Sequence, residues 1–298
     1  MLKRGTKVSS TDLSIRIACG GIAGGIAKTA TAPLERLKML SQTGESGGRS
    51  AIALTRHVVK TEGVRGMFAG NATNLLRIFP SKGVVFASSD YYRKMFRVIA
   101  GVPDGAQTPG TLSFVAGGCA GVTATALTYP LDFVRGRIAG KGVEKGEKKK
   151  YISTLQTIRI TVKEEGVGAL FKGIRPTLIG SFPYLGIQFG TVGLLESLFP
   201  KEGDATNVYR KVMFGATGGV TAGCLTYPND TIRRMLQLQG TPGYRNYSGY
   251  FDCARTVLKE EGIKRFYRGM GVNLVRMAPN TAVQFGAYEL LKELLIKR

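Results

Sequence analysis

The sequence predicts an all-α membrane protein with six transmembrane helices in three tandem repeats, each carrying a short amphipathic helix between its two long ones. Three observations lead to this fold. A proline motif recurs at nearly equal spacing, two further strings follow each copy in the same order, and the first long helix of each repeat is rich in glycine. The chain of 298 residues is interpreted as a single domain, 1-298, with repeats at 11-100, 110-200 and 206-298.

The proline motif reads PLERLK from Pro33, PLDFVR from Pro130 and PNDTIR from Pro228, so the prolines are 97 and 98 residues apart. With proline at ~5% of residues and acids and bases at ~12% each, one match arises by chance at about one position in a thousand. Three matches in register therefore define an internal repeat, and such a repeat decides the architecture of the whole chain.

Two further strings follow each proline motif. The first reads EGVRGMFAG, EGVGALFKG and EGIKRFYRG in the three repeats, and the second reads NLLRIFPSKGVVF, TLIGSFPYLGIQF and NLVRMAPNTAVQF. Each copy of the second string lies in an apolar stretch that is long enough for a membrane helix. The six predicted spans are 12–41, 71–97, 111–140, 174–198, 208–237 and 270–296.

Glycine is concentrated on one face of the first long helix of each repeat. Inside a helix in water, each glycine costs about 1 kcal/mol relative to alanine. In lipid, small residues at this spacing let helices pack closely, so the pattern favours a membrane protein. The glycines are Gly20, Gly21, Gly24 and Gly25, then Gly117, Gly118 and Gly121, then Gly215, Gly218, Gly219 and Gly223.

The charge of the chain indicates an anionic partner. Lysine and arginine number 42 against 20 acids, which gives a net charge of +22. This charge fits nucleic acid, anionic lipid or a small phosphorylated metabolite. A soluble nucleic-acid-binding protein would leave the glycine-rich spans unexplained. An enzyme is disfavoured because the sequence has no phosphate-binding GxxxxGK(S/T) string and no nucleophile motif.

Cysteine and histidine usage argues against a metal or redox site. The four cysteines are too widely spaced for a CxxC pattern, and the single histidine, His57, has no second ligand near it in sequence. We therefore expect reduced cysteines, no cofactor, no metal and no catalytic residues. The amino-terminal segment is basic but lacks the apolar stretch of a secretory signal, so targeting is expected to reside in internal segments.

The tripled P-x-(D/E)-x-x-(K/R) motif, with its EG and aromatic-x-G strings, resembles the mitochondrial carrier family over essentially the whole chain. The resemblance implies a multi-pass protein of the mitochondrial inner membrane, with three two-helix repeats around a pseudo-threefold axis and alternating access. It also implies that the proline motifs face the matrix. The short helices and the basic insert KGVEKGEKKK suit an anionic lipid surface there, with cardiolipin as the expected lipid. We expect a monomer.

The acid and base of each proline motif lie three residues apart, below a proline bend, and share one helix face. They could pair within one helix, or across repeats in a ring that closes the matrix end, and the resemblance favours the ring. Its expected pairs are Glu35 with Arg135, Asp132 with Arg233, and Asp230 with Lys38. The family often has a glutamine nine residues after the proline that braces the ion pair. Gln42 and Gln237 occupy this position, whereas repeat two has Ala139.

The opposite mouth is expected to close only weakly. The second helices of the family often carry an acid followed three residues later by a base, and Asp90 with Arg93 and Glu289 with Lys292 fit this pattern. Repeat two has Gly193 in place of the acid, so only Glu289 and Arg93 can pair across repeats. We therefore expect a resting state that is open to the cytosol.

Positions that break the threefold pattern are candidates for binding an asymmetric substrate. The third string places Arg77 and Arg276 where repeat two has Gly180, and Lys28 has no basic counterpart in the other repeats. Charged residues at mid-membrane depth are usually functional, and arginine binds phosphate through two parallel hydrogen bonds. The alternative is that these arginines snorkel or pair with carboxylates.

Gly180 and Ser181 together are expected to leave room for a flat ring, on which Tyr184 can stack. By resemblance, these positions are similar to those of carriers for adenine nucleotides and coenzyme A. The expected substrate is a small anionic nucleotide-like metabolite, such as ADP, ATP, ATP-Mg, coenzyme A or adenosine bisphosphate, and no nucleic acid is expected as a partner. The alternative is a carrier of another anion, such as phosphate, thiamine pyrophosphate or a carboxylate.

Overall fold

A computed structural model describes residues 10–103, 109–142, 150–199, 208–241 and 243–296, and residues 143–149 of the basic insert lie outside them. The described helices are α1 (Ser10–Ala30), α2 (Ala32–Thr43), α3 (Ala51–Gly66), α4 (Asn71–Ile99), α5 (Gly110–Gly140), α6 (Thr154–Glu165), α7 (Ile174–Leu198), α8 (Val208–Leu225), α9 (Tyr227–Leu238), α10 (Tyr250–Glu261) and α11 (Met270–Ile296). Two 3-10 helices, Val167–Phe171 and Ile263–Tyr267, precede α7 and α11. The all-α fold is confirmed.

The six long helical rods that the sequence predicts are present. In repeats one and three the first rod has two parts, α1 with α2 and α8 with α9, which are divided just before Pro33 and Pro228. In repeat two, by contrast, α5 continues through Pro130 without a break. The first rod is therefore interrupted at two of the three motif prolines. Proline keeps a helical φ and removes one backbone hydrogen bond, and α5 has the most extensive helix packing in the structure, along α4.

Each repeat packs its short helix against the end of its first rod. Buried side chains of the two elements form three separate clusters, one in each repeat. In repeat one the cluster joins α2 to α3 and consists of Leu37, Leu40, Leu54, Val58 and Met67. We call the end of the molecule that carries the proline motifs and these clusters the motif end.

The glycines of the three EG strings turn the chain from each short helix toward the next rod. Gly63, Gly166 and Gly262 have φ angles of 72°, 84° and 75°. Residues with a Cβ rarely adopt this left-handed region, whereas glycine enters it without steric cost. The backbone turn therefore explains why each EG string has a glycine at this position.

The rods close into a circle through contacts between repeats. α4 packs along α5, α7 packs along α8, and α11 packs along α1, so each second rod lies against the first rod of the next repeat. At the motif end, α2, α5 and α9 contact one another and bring the three first rods together. A cavity of about 1260 Å³ extends from Lys38 at this end to Tyr92 and Ser113 near the opposite end.

The outside of the bundle is apolar along much of its height. Large exposed apolar side chains include Leu76, Phe79, Phe182, Leu194, Val275 and Phe285. By length and composition, one stretch of the described residues, 167–198, is apolar enough to cross a membrane. The other rods carry more charge, partly in side chains such as Arg77 that pair inside the bundle.

We predict that the protein stays in the membrane pellet after alkaline carbonate extraction. Its exposed apolar surface is far more extended than that of a soluble monomer, so lipid is needed to cover it. The measurement is the partition of the full chain between pellet and supernatant, with a soluble protein of the same organelle as the control. Release into the supernatant would contradict the prediction.

Candidate functional site

Three ion pairs between repeats form a closed ring at the motif end. They join α2 to α5, α5 to α9, and α9 to α2. The N–O distances are 3.0 Å for Arg135 and Glu35, 3.3 Å for Arg233 and Asp132, and 2.8 Å for Lys38 and Asp230. The structure therefore brings together the partners that the sequence predicts. We call these six residues the ion-pair ring.

Both arginines that the sequence suggests for substrate binding also contact the ion-pair ring. Arg77 on α4 lies 3.1 Å from Asp132, and Arg276 on α11 lies 3.1 Å from Glu35. Their side chains are 30% and 14% exposed. These arginines thus pair with carboxylates, and each of the two acids is shared between a ring cation and an arginine of a second rod.

The third acid of the ring, Asp230, has different additional partners. Gln42 donates a hydrogen bond of 3.0 Å to its carboxylate, and Arg234 on the same helix lies 3.9 Å from it. Gln42 therefore occupies the bracing position that the sequence predicts. The ring is symmetric in its ion pairs but asymmetric in what surrounds them.

Gln237 does not occupy the expected bracing position. Its amide nitrogen donates to the Tyr129 hydroxyl at 3.2 Å, and its amide oxygen accepts from Arg234 at 2.9 Å. The Tyr129 ring lies under the Arg233 guanidinium, 5.9 Å from its centroid. The expectation that Gln237 braces the pair of Asp132 and Arg233 is wrong in this structure, because these bonds direct its amide to the tyrosine and to Arg234.

Two tyrosines next to the motif prolines also belong to the site, and the sequence analysis did not predict them. Tyr129 lies against Arg233, and Tyr227 lies against Lys38 at 5.5 Å from the ring centroid. A cation over an aromatic face is stabilised by the ring quadrupole, more strongly when water is excluded. The signal in the sequence is the dipeptide Tyr-Pro, which repeats two and three share, whereas repeat one has Ala32 before its proline.

A second ring of three buried arginines lies at the carboxyl ends of the first rods. We call these residues, Arg36, Arg137 and Arg265, the arginine ring. Each donates to a backbone carbonyl at the end of the first rod of the next repeat. The distances are 2.9 Å from Arg36 to Ile138, 2.7 Å from Arg137 to Gln239, and 2.8 Å from Arg265 to Gln42. Each also pairs with the glutamate of its own EG string, namely Glu62, Glu165 and Glu261.

The arginine ring places positive charge at the carboxyl ends of the first rods. The last carbonyls of a helix have no partner within the helix and carry partial negative charge, so a cation is favourable there. The three side chains are 0%, 0% and 2% exposed. Sequence reasoning missed them because they come from different places: the fourth residue of the first motif, two residues beyond the second motif, and the fifth residue of the third EG string.

Glu165 illustrates the electrostatics of the arginine ring outside the rods. Burial opposes ionisation of its carboxyl, but hydrogen bonds from Arg137 and Lys172 outweigh burial, so the pKa of Glu165 is lowered from its ordinary value. A lowered pKa in the folded state adds stability above the ordinary pKa, and this stability is lost as the pH falls through the lowered value.

The cavity collects most of the predicted substrate residues. Arg276, Gly180, Ser181 and Tyr184 line it. Lys28 is partly buried and lies close enough to Glu35 and Arg276 to interact with both electrostatically. The cations therefore gather beside the ion-pair ring, while Ser181 and Tyr184 lie on α7.

The space beside Gly180 differs from the expectation of an empty slot for a flat ring. The carboxamide of Asn229 on α9 fills it, so closely that a Cβ at position 180 would overlap the amide nitrogen. That nitrogen donates to the Pro176 carbonyl at 2.9 Å. A residue with a Cβ at position 180 would therefore displace this carboxamide. Asn229 itself lines the cavity.

The opposite end of the bundle lacks the expected pair between repeats. Glu289 pairs with Lys292 of its own helix at 3.1 Å instead of with Arg93. Asp90 and Arg93 are exposed. Exposed pairs within a helix are worth only a few tenths of a kcal/mol, ~0.3–0.5, so they cannot hold this mouth shut. Three ion pairs between repeats thus join the motif end, and no ion pair between repeats is found among the described gate residues of the opposite end.

Comparison with known proteins assigns the chain to one family. The family model described as "Mitochondrial carrier protein" matches residues 9–99, 107–203 and 204–298. The mitochondrial adenine nucleotide transporter ADNT1 of Arabidopsis thaliana is 32% identical, over 93% of this chain and 85% of its own. The mitochondrial coenzyme A transporter SLC25A42 of Xenopus laevis is 32% identical, over 94% and 85%. A probable chloroplast envelope ADP,ATP carrier of Arabidopsis is 33% identical, over 93% and 71%.

We predict that a membrane-impermeant maleimide labels Cys119 in the empty protein from the open end. Cys119 lines the cavity and is partly exposed. In a Cys224→Ser background, Cys19 and Cys253 serve as internal controls, because both are fully buried and burial raises the pKa of Cys253 to about 12. The thiolate is the reactive form, so these two should stay unlabelled. An unreactive Cys119 in folded protein would show that this mouth is closed.

We predict that Arg137→Ala lowers stability by about 3–5 kcal/mol, because it leaves a buried carboxylate and helix carbonyls without their cation. The control is Lys150→Ala, which removes an exposed pair with Glu164 and should cost at most about 1 kcal/mol. Thermal unfolding of purified protein measures both. The difference between Arg137→Ala and wild type should shrink at acid pH, as the lowered pKa of Glu165 is reached. Equal effects of the two variants would contradict the assigned role.

Proposed function

Since the chain belongs to the mitochondrial carrier family, we propose that it exchanges small anionic, adenine-containing phosphorylated metabolites across the mitochondrial inner membrane by alternating access. The candidate substrates are ADP and ATP, ATP-Mg and phosphate, coenzyme A, and adenosine bisphosphate. The observation that carries the proposal is the cluster of Arg77, Arg276 and Lys28 beside the cavity, at positions where the three repeats differ. Relatives named for adenine nucleotides and for coenzyme A support the same class.

The cation cluster suits the phosphate groups of such a substrate. Guanidinium groups form two parallel hydrogen bonds to phosphate, and a nearby ammonium adds charge without fixing geometry. Two arginines held on different helices can engage two phosphate groups or both faces of one. The rest of the cavity wall is neutral near Ser181 and Tyr184, which suits an uncharged ring at the other end of the substrate.

Competition for the two arginines would link substrate binding to the ion-pair ring. In the empty protein Arg77 and Arg276 contact Asp132 and Glu35. A phosphate that draws the arginines toward itself removes one of the two cations that stabilise each of these acids. The ring pairs then carry less stabilisation, and the motif end can open. A ligand changes a conformational equilibrium only through such differential contacts.

The two ends of the bundle differ in their contacts, and this difference favours the conformation in which the motif end is closed. Three ion pairs, one glutamine brace and two tyrosines act at the motif end, whereas at the opposite end Glu289 and Lys292 form an exposed pair within α11. By family resemblance the motif end faces the matrix, so the empty protein rests open to the cytosol. Anionic lipid such as cardiolipin at the matrix side, and a monomeric state, belong to the same proposal. Relatives in chloroplasts make another organelle the alternative.

We predict that protein in liposomes loaded with adenine nucleotides takes up a labelled adenine compound, and that Arg276→Ala reduces this exchange by at least about 30-fold. Truncating one partner of a buried charged contact costs about 2 kcal/mol or more. Arg276→Lys should recover little, because lysine lacks the two-pronged geometry. Arg255→Ala removes an exposed arginine of α10 and is the matched control, with rates near wild type.

The substrate panel contains ADP, ATP, coenzyme A, adenosine bisphosphate, phosphate, thiamine pyrophosphate and dicarboxylates, each tested alone. Uptake of an adenine compound that depends on Arg276 supports the proposal. Uptake of a carboxylate or of thiamine pyrophosphate, with none of the adenine compounds, would reject it. Wild-type rates in Arg276→Ala would remove this residue from the site.

A further inference from the structure

The three interfaces between repeats are unequal at the depth of Arg77 and Arg276. At two interfaces, an arginine of a second rod, Arg77 or Arg276, contacts the acid of the neighbouring motif. At the third interface, between α7 and α9, the corresponding position is Gly180, and Asn229 fills the space. The residue after the motif proline is Asn229 in repeat three, whereas repeats one and two have leucine there, namely Leu34 and Leu131. A neutral carboxamide thus stands where the symmetry would place a charged contact.

The Asn229 side chain is held in one orientation. Its amide nitrogen donates to the Pro176 carbonyl, and Gly180 leaves the room that this bond needs. Within the part of the chain that the structure describes, its amide oxygen accepts no hydrogen bond, and it is not among the buried unpaired atoms. A carboxamide has two N–H groups and one oxygen. One donor and one acceptor therefore stay available, side by side, at the cavity wall.

The surroundings of Asn229 favour a neutral polar group of the substrate. The hydroxyls of Ser181 and Thr226 also line the cavity, but their protons are committed to helix carbonyls at 2.8 Å and 2.7 Å. They can only accept. The neighbouring acid, Asp230, is already bound by Lys38 and Gln42. Of Ser181, Thr226, Asp230 and Asn229, only Asn229 therefore offers a donor and an acceptor side by side.

This pattern matches one edge of adenine. Adenine presents a 6-amino donor beside the N7 acceptor, and asparagine binds this pair with two hydrogen bonds, as it does in DNA recognition. Hypoxanthine and guanine carry an oxygen at position 6, which would meet the Asn229 amide oxygen with two acceptors facing each other. A base held there has its phosphates free to reach the arginines of the other two interfaces.

We propose that the Asn229 carboxamide reads the 6-amino and N7 edge of the purine and so makes the carrier prefer adenine compounds over 6-oxopurine compounds. This inference rests on the proposed function, because it assigns the base-recognising residue of the same cavity. The space beside Gly180 then holds a hydrogen-bonding group, the Asn229 carboxamide, instead of an open slot for the ring. Ser181 and Tyr184 then border the ring and do not select it.

The test compares ADP with IDP in exchange assays on the full chain in liposomes. Wild type should prefer ADP, and Asn229→Leu, which nearly keeps the shape and matches the other repeats, should lower this preference by about 5- to 150-fold, as expected for one two-bond contact. Asn229→Ala should do the same if leucine disturbs packing against Gly180. The matched control is Thr123→Val, which changes another cavity-lining side chain that bonds Tyr92 and should keep the preference.

A second readout does not depend on transport. ADP should raise the thermal stability of purified wild-type protein more than IDP does, since a ligand stabilises the folded state according to its affinity. In Asn229→Ala the two nucleotides should act equally. Retention of the wild-type preference in both variants overturns the inference while leaving the proposed function intact. Failure of wild type to bind or exchange any adenine compound overturns the proposed function itself.

Discussion

The sharing of each motif carboxylate among several cations is the interaction on which the rest of the site depends. A carboxylate buried between rods has to be paired, because an isolated charge in a low-dielectric interior is costly. Glu35 and Asp132 each meet a cation of the next first rod and an arginine of a second rod. Closure of the motif end and the proposed binding of an anion therefore draw on the same two acids.

The arginine ring supports this arrangement from beyond the ion pairs. Where the first rods converge, the carbonyls at their carboxyl ends need partners in a space that leaves little room for water. Arg36, Arg137 and Arg265 supply them from the neighbouring repeat. Each arginine is in turn anchored by the glutamate of an EG string, so the short helices and the rods are joined in one network. The same physical need is met three times from three different sequence positions.

The proposed substrate contacts lie where the threefold order fails. An asymmetric substrate gains nothing from three identical walls, because its phosphates and its ring need different partners. The arginine contacts at two interfaces and the pair of Gly180 and Asn229 at the third provide such a difference. The closed end keeps its symmetric ion pairs, while the cavity just above them does not.

The sequence by itself determined the repeat and the six rods, because equal spacing and equal motifs must recur at equal depth, whereas the partners of the ion-pair ring were expected from the family resemblance. It could not determine contacts that break this regularity. The Gln237 amide donates to Tyr129. Arg36 and Arg265 make in repeats one and three the contacts that Arg137 makes in repeat two. Asn229 fills the space beside Gly180. Only the tertiary structure decided these contacts, since each depends on which side chain of another element occupies a given space.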